Sequence, residues 1–333
     1  MLCADLLRHI LFDTYMTVES MVNLKKFQTD VATGSLTLPV VAFLCLFLWG
    51  ITSYSQSWNQ LISLAITAFT GYLMIESNTS FTLIRTRTLL PACIYCFLVS
   101  SLYFFHPFDW KLLVPPAFLL SLINLFRSYE SNEAATSIFH SFLFISWISW
   151  VFPPILFFVP LFFFGMIPFR SFSVKSIWAS LLGILTPYWF LLGYAFCTEQ
   201  MELFKAKLHP LMVLYPIDYS AVSPYEGVIA CIITILLLVG TVHYWNVSYM
   251  DKTRTRVFLS FMSIAGLWAT LIGILQPVHI REIMQIQLII MGFLNAHLFT
   301  LTQSRFSSIT FIVTFVVFIL IMCSSLWMQF FNF

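Results

Sequence analysis

Charge is scarce in this sequence. Asp, Glu, Lys and Arg together make up only 9% of 333 residues, while 60% are apolar and mean hydropathy is +0.91. Soluble domains run at roughly 25% charged and about 45–50% apolar, so a soluble fold is excluded. With 11 Gly in the whole chain, neither GxGxxG nor GxxxxGK[ST] occurs, which leaves no backbone cradle for a nucleotide phosphate. HExxH and GxSxG are missing too, so zinc-protease and serine-hydrolase chemistry have no anchor. The formal net charge of +2 points to no nucleic-acid partner. The seven Cys offer no pair across one loop. Cys93 and Cys96 form a CxxC, but inside an apolar run where a reactive thiolate is disfavoured, and packing is the better reading. No cofactor and no metal are called for.

What is present is a succession of apolar stretches. A 30 Å hydrocarbon core takes about 20 helical residues, and windows of that size mark about eleven spans: 37–54, 58–76, 88–105, 110–126, 137–151, 153–168, 176–196, 226–245, 257–276, 284–302 and 309–329. The expected fold is therefore all-α, a polytopic transmembrane helical bundle forming a single domain over residues 37–333. An N-terminal segment, 1–36, precedes it, and one larger loop lies at about 197–225. Trp58, Trp110, Trp178, Trp245 and Trp327 fall near span ends, where an amphipathic ring suits the membrane interface. Pro153 and Pro154 separate the fifth and sixth spans with no charge between them, so this pair reads as a tight hairpin or as one broken helix.

The cations set the orientation. With the N-terminus inside, inner segments hold Arg8, Lys25, Lys26, Arg85, Arg87, Arg127, Arg170, Lys175, Lys252, Arg254, Arg256 and Arg305, and outer segments hold Lys111, Lys205, Lys207 and Arg281. All 16 Lys and Arg are thereby divided twelve to four, which predicts N-inside, C-outside and an odd number of spans. Merging the fifth and sixth spans would destroy that bias.

Residues 1–20 thread acidic and basic residues through apolar ones and contain no signal-peptide core. They read either as an amphipathic helix on the inner leaflet, with Leu6, Leu7, Ile10 and Leu11 on one face, or as sequence upstream of a true start at Met21. The second reading is favoured, with Met21–Gln28 as a short cytoplasmic lead.

Polar groups in or beside a bilayer are costly and mark candidate sites. Glu76, Arg85, Arg87 and Arg127 lie at the inner side. They read as interface anchors with a Glu76–Arg pair, or as a pocket in which guanidinium forks hold a phosphate or an anionic lipid head. His140, His243 and His297 fall in or near spans, with Asn295 beside His297. No carboxylate is expected deep within a span, which argues for packing over proton relay. In the long outer loop, EQMELFKAKLHPL suits a helix lying on the membrane surface, and Lys205, Lys207, His209 and Asp218 there are weak candidates for binding and general base roles.

NTSFTLIRTRTLLP at 78–91, LINLFRSYESNEAATSIF at 122–139 and FGMIPFRSFSVKSIWASLLGILTPY at 164–188 resemble a family of polytopic inner-membrane proteins of Bacteroidota to which no activity is attached. The likeness covers about two thirds of the chain. It marks Arg85, Arg87, Arg127 and Arg170, with Gly183 and Pro187, as characteristic positions. Genes of that family lie beside those for polyprenol-phosphate mannose synthesis, so the resemblance implies handling of polyprenyl-phosphate-linked sugars, by glycosyl transfer or flipping, in a bacterial inner membrane among membrane lipids. Multi-spanning glycosyltransferases carry an acidic residue in the first outer loop, and ITSYSQSWNQ has none; Asp109 in the second outer loop is the nearest substitute. The alternatives are a non-enzymatic scaffold of an envelope complex and, third, a solute transporter.

Overall fold

The computed structural model describes residues 24–52, 57–212, 217–220, 222–302 and 304–331. The expectations for residues 1–20 and a start at Met21 lie outside them. Thirteen α-helices are found among the described residues, and no strand: α1 (Leu24–Thr33), α2 (Thr37–Thr52), α3 (Ser57–Phe81), α4 (Leu90–Ser101), α5 (Val114–Arg127), α6 (Ala134–Ile148), α7 (Val159–Gly165), α8 (Val174–Cys197), α9 (Met201–Met212), α10 (Pro224–Val247), α11 (Thr253–Leu275), α12 (Ile280–Leu301) and α13 (Arg305–Phe331). An all-helical fold suits a chain in hydrocarbon, because a helix satisfies its own backbone polar groups.

Each of the eleven apolar stretches coincides with a helical segment. Six helical segments are long and apolar enough to cross a membrane, or seven if α1 and α2, bent by 77° at residues 34–36, count as one. The others are short, as in α4, α6 and α7, or are diluted by polar residues, as in α3 with Asn59, Gln60, Glu76 and Asn78. Prolines open several helices, Pro91 in α4, Pro115 and Pro116 in α5 and Pro224 in α10, where the missing N–H costs nothing and the fixed φ suits the first turn.

Pro153 and Pro154 start a 3-10 segment, Pro153–Phe158, that leads into α7. Phe142 of α6 lies 4.8 Å, ring to ring, from Phe163 of α7. The chain therefore doubles back here, and the hairpin reading of this pair holds over the broken helix. Gly183 permits the close approach of α8 to α6, since a Cβ there would lie 2.6 Å from the Phe139 carbonyl.

α12 is the axis of the molecule. Residues from Glu282 to Thr300 are buried without interruption, enclosed by α4, α5, α10 and α11. By contrast α8 and α13 turn apolar side chains outward, among them Trp178, Trp189, Phe190, Val313 and Leu320. The five Trp expected at span ends are all exposed, from 50% at Trp245 to 81% at Trp58.

Candidate functional site

The polar residues of α12 explain why it is central. Glu282, Gln285, Gln287, Asn295, His297 and Thr300 interrupt its apolar run, and a helix carrying these groups is expelled from lipid toward partners within the protein. In the middle, the Gln287 amide donates to Thr270 Oγ1 of α11 at 2.9 Å and to Thr234 Oγ1 of α10 at 3.3 Å. At one end Glu282 takes Lys111 at 2.7 Å. Beside it, Arg281 donates Nε and Nη2 to Glu226 Oε1 at 3.1 and 2.5 Å, with its guanidinium 5.6 Å from the Phe104 ring centre.

At the other, basic end His297 Nε2 donates to Asp251 Oδ2 at 2.8 Å, with both side chains only 1% exposed. Asp251 is not within a span by sequence. It follows the 3-10 turn Ser248–Met250 after α10, where its amide donates to the Ser248 carbonyl at 3.1 Å, and that turn folds the carboxylate back onto α12. Asp251 Oδ1 faces Arg85 Nε at 3.5 Å, an ion pair too long for a hydrogen bond. Because Nε2–H is committed to the carboxylate, Nδ1 is the free position of the ring. Among the described residues it has no hydrogen-bond partner, and neither do Asn295 Nδ2, Thr300 Oγ1 and Thr241 Oγ1. Tyr244 stands edge-on to the imidazole at 5.3 Å and donates its hydroxyl to the Arg256 carbonyl. His243 Nε2 and Thr302 Oγ1 are 2.9 Å apart.

Arg85 reaches this dyad from a fastened loop. Asn78 grips both ends of it, accepting from the Ile84 amide and donating to the Thr88 carbonyl, while Thr255 donates to the carbonyl of Thr82, a left-handed residue at φ 49°. The Glu76–Arg pair expected here does not form. Glu76 instead accepts from Ser80, one helical turn on, because the loop carries Arg85 across to Asp251.

An aromatic floor lies at this end. Phe126 and Phe258 stack at 4.5 Å, Phe81 meets both edge-on, and Phe169 closes the group. The Arg254 guanidinium lies over it, 5.4 Å from Phe258 and 5.8 Å from Phe81, within cation–π range. Arg127 follows Phe126, and Arg170 follows Phe169. Arg170 pairs with Glu130 at 2.6 Å, and both residues are left-handed, at φ 54° and 50°. Arg87 and Arg127 are exposed and pair with no carboxylate among the described residues. Such an arrangement presents planar donor forks, free to take an anion, beside an apolar surface.

The outer-loop candidates are not brought together. Asp109 caps the 3-10 turn Trp110–Leu113 by accepting from the Lys111 amide at 3.2 Å. Asp218 closes its own turn, taking the Ser220 hydroxyl and amide, which hold its carboxyl below the usual range. The expected helix is found as α9, but Lys205 pairs with Glu202 on that helix, Lys207 donates to the Trp150 carbonyl, and His209 is exposed. No hydrogen bond or ion pair joins Asp109, His209 and Asp218.

Sequence reasoning missed Asp251, Glu226 and Glu282: all three lie at helix ends rather than deep within a span, yet they are buried within the protein. The signal that pointed to them was the density of polar residues in α12, which demands buried partners. The fold and this buried polar axis define a polytopic helical membrane protein. No family model, curated protein or solved structure matches the chain.

Proposed function

We propose that this protein binds the phosphate head of a polyprenyl-phosphate-type lipid at its basic end, as a handler of lipid-linked sugars in a bacterial inner membrane. The observation that carries this reading is the exposed Arg254 guanidinium over the aromatic floor, at the end of the molecule where the exposed Arg87 and Arg127 pair with no carboxylate among the described residues. An apolar groove of about 580 Å³ between α1, α2, α4, α12 and α13, walled by Phe97, Phe299, Phe315 and Phe318, supports it. Its wall includes Leu90, three residues beyond Arg87, and its shape suits a prenyl tail. The scattered outer residues lend glycosyl transfer at the opposite face no such support, so binding and movement of the lipid are the better form of the proposal.

Eleven spans with N-inside and C-outside belong to the same reading. Contacts among the described residues support the grouping of segments into two ends: Arg85 with Asp251, Thr82 with Thr255 and Glu130 with Arg170 at the end read as inner; Lys111 with Glu282, Glu226 with Arg281 and Lys207 with Trp150 at the other. A second reading, solute transport, gains from the buried carboxylates at both ends of α12.

Mass spectrometry of lipid-linked saccharides from a deletion strain and its parent tests the proposal. Accumulated polyprenyl-phosphate sugar is the expected result, and its rescue by the wild-type gene but not by Arg87→Gln/Arg127→Gln would tie it to the basic end. Unchanged profiles refute it.

A further inference from the structure

The Asp251–His297 dyad is not used by the head-group reading, yet it is the most enclosed titratable pair among the described residues. Its charge balance rests on three groups. Asp251, 1% exposed, needs a positive neighbour, since an unpaired buried carboxylate is strongly disfavoured. Two cations are available to it: Arg85 at Oδ1, and His297 at Oδ2 if the ring carries a second proton on Nδ1. The first is 46% exposed and meets Asp251 through Nε at 3.5 Å, so its guanidinium can turn toward an anion in the basic face. The second has a ring position with no protein partner, next to the likewise unpartnered Asn295 Nδ2 and Thr300 Oγ1 on α12.

From this geometry we infer that Asp251 and His297 form a proton-binding site linked to anion binding through Arg85. An anion that draws Arg85 off Asp251 leaves the buried carboxylate without its cation, and His297 restores the balance by taking a proton on Nδ1. The step is a simple association: one proton from solvent joins the Nδ1 lone pair, the ring becomes cationic, Asp251 stays anionic, and no bond to carbon forms or breaks. Release of the anion reverses it. By linkage, anion affinity then rises as pH falls, and the anion raises proton affinity by the same factor.

The other groups facing the pair do not supply this charge. From α10, Tyr244 presents its ring edge and spends its hydroxyl on the Arg256 carbonyl, and His243, within electrostatic reach of His297, is engaged with Thr302. From α11, Arg256 is exposed and meets the pair only through that carbonyl. No titratable group of α4 or α13 hydrogen-bonds or pairs with the dyad among the described residues. The coupling to an anion rests on the head-group reading; the dyad itself rests on geometry alone.

Proton uptake decides the matter. The whole protein is placed in phosphatidylcholine nanodiscs and titrated calorimetrically, in two buffers of different ionisation enthalpy, with inorganic sulfate in one arm and polyprenyl phosphate in the other. Sulfate is chosen because it does not itself titrate between pH 5 and 8. Expected is uptake of a fraction of a proton per anion bound in wild type and none above the ligand's own in His297→Gln, with affinity rising by up to about fivefold on acidification, the limit set by the half-exposed Arg85–Asp251 pair. Uptake with both probes marks any oxyanion as the ligand, and uptake with the lipid alone marks the head group. Binding without uptake overturns this inference and leaves the head-group reading standing. No binding of either probe overturns both. Should His297→Gln fail to fold, Arg85→Gln, at a half-exposed position, serves in its place: it abolishes the uptake while Arg127 and Arg254 still hold the anion, whereas uptake that persists in Arg85→Gln overturns the linkage.

Discussion

Replacing Asp251 by Ala removes the carboxylate on which the basic end of α12 depends, and the cost is set by two contacts. The hydrogen bond from His297 is 2.8 Å long between side chains 1% exposed; a bond to a charged group in such a setting contributes about 1.5–3 kcal/mol. The pair with Arg85 is 3.5 Å long and its guanidinium is 46% exposed, so solvent screening limits it to under about 1 kcal/mol. Asp251→Ala is therefore expected to destabilise the protein by about 2–4 kcal/mol, because it also leaves the imidazole with both nitrogens unpartnered in the interior. Asp251→Asn, which keeps an acceptor for Nε2–H, costs about half as much. Arg85→Gln costs less than about 1 kcal/mol. Reversible unfolding in mixed micelles, read by circular dichroism, measures each variant. A double-mutant cycle of Asp251→Ala with His297→Leu isolates the pair, and a coupling energy of about 1.5–3 kcal/mol is expected. Coupling below about 0.5 kcal/mol would refute the reasoning, since the two side chains would then be neighbours without interacting.

Gly240 packs against α12 so closely that a Cβ would lie 2.6 Å from Asn295 Oδ1 and 3.0 Å from Leu294 Cβ; Gly240→Ala is expected to cost about 1–3 kcal/mol, whereas Gly193→Ala, with nothing within 4 Å, leaves the melting temperature unchanged in a thermal-shift assay. His106, stacked on Trp49 at 4.1 Å and bonded to the Ser100 carbonyl, is held neutral by burial, its pKa lowered from 6.5 to about 4. The unfolded chain therefore binds a proton before the folded one does, and stability falls as pH drops from 6.5 toward 4, by about 3 kcal/mol at about 1.4 kcal/mol per unit; His106→Phe flattens that slope in unfolding curves recorded across the window. At the opposite end of α12, Glu226→Gln exchanges a charged acceptor for a neutral one beneath Arg281 and is expected to cost about 1 kcal/mol by the same unfolding assay. Single substitutions of Asp109, His209 and Asp218 by Ala leave lipid-linked saccharide profiles unchanged at normal protein abundance; loss of function in any of them returns attention to the outer loop.

The helices were legible because hydrophobic run length is a local property: each apolar stretch became a helical segment, and the amphipathic run at 201–212 became α9. The gathering of Lys and Arg into alternate gaps between the apolar stretches was legible for a similar reason, since each charge is read at its own position in the chain. Depth was not legible. Asp251 stands among Lys252, Arg254 and Arg256, the composition of a solvated loop, and only the turn at Ser248–Met250 carries it inward. Arg85 looked like a member of an arginine pocket and proved to be the tether of that carboxylate, while Arg170 found Glu130.

By itself, then, the sequence determined that the chain is helical, where the helices run and how charge is apportioned between their ends, since these follow from transfer of side chains and backbone out of water. The tertiary structure decided that α12 is the buried axis and that Asp251 meets His297 across 46 positions of chain. Pairings of that kind depend on which helices pack together, and that is a property of shape complementarity over the whole bundle rather than of any one segment.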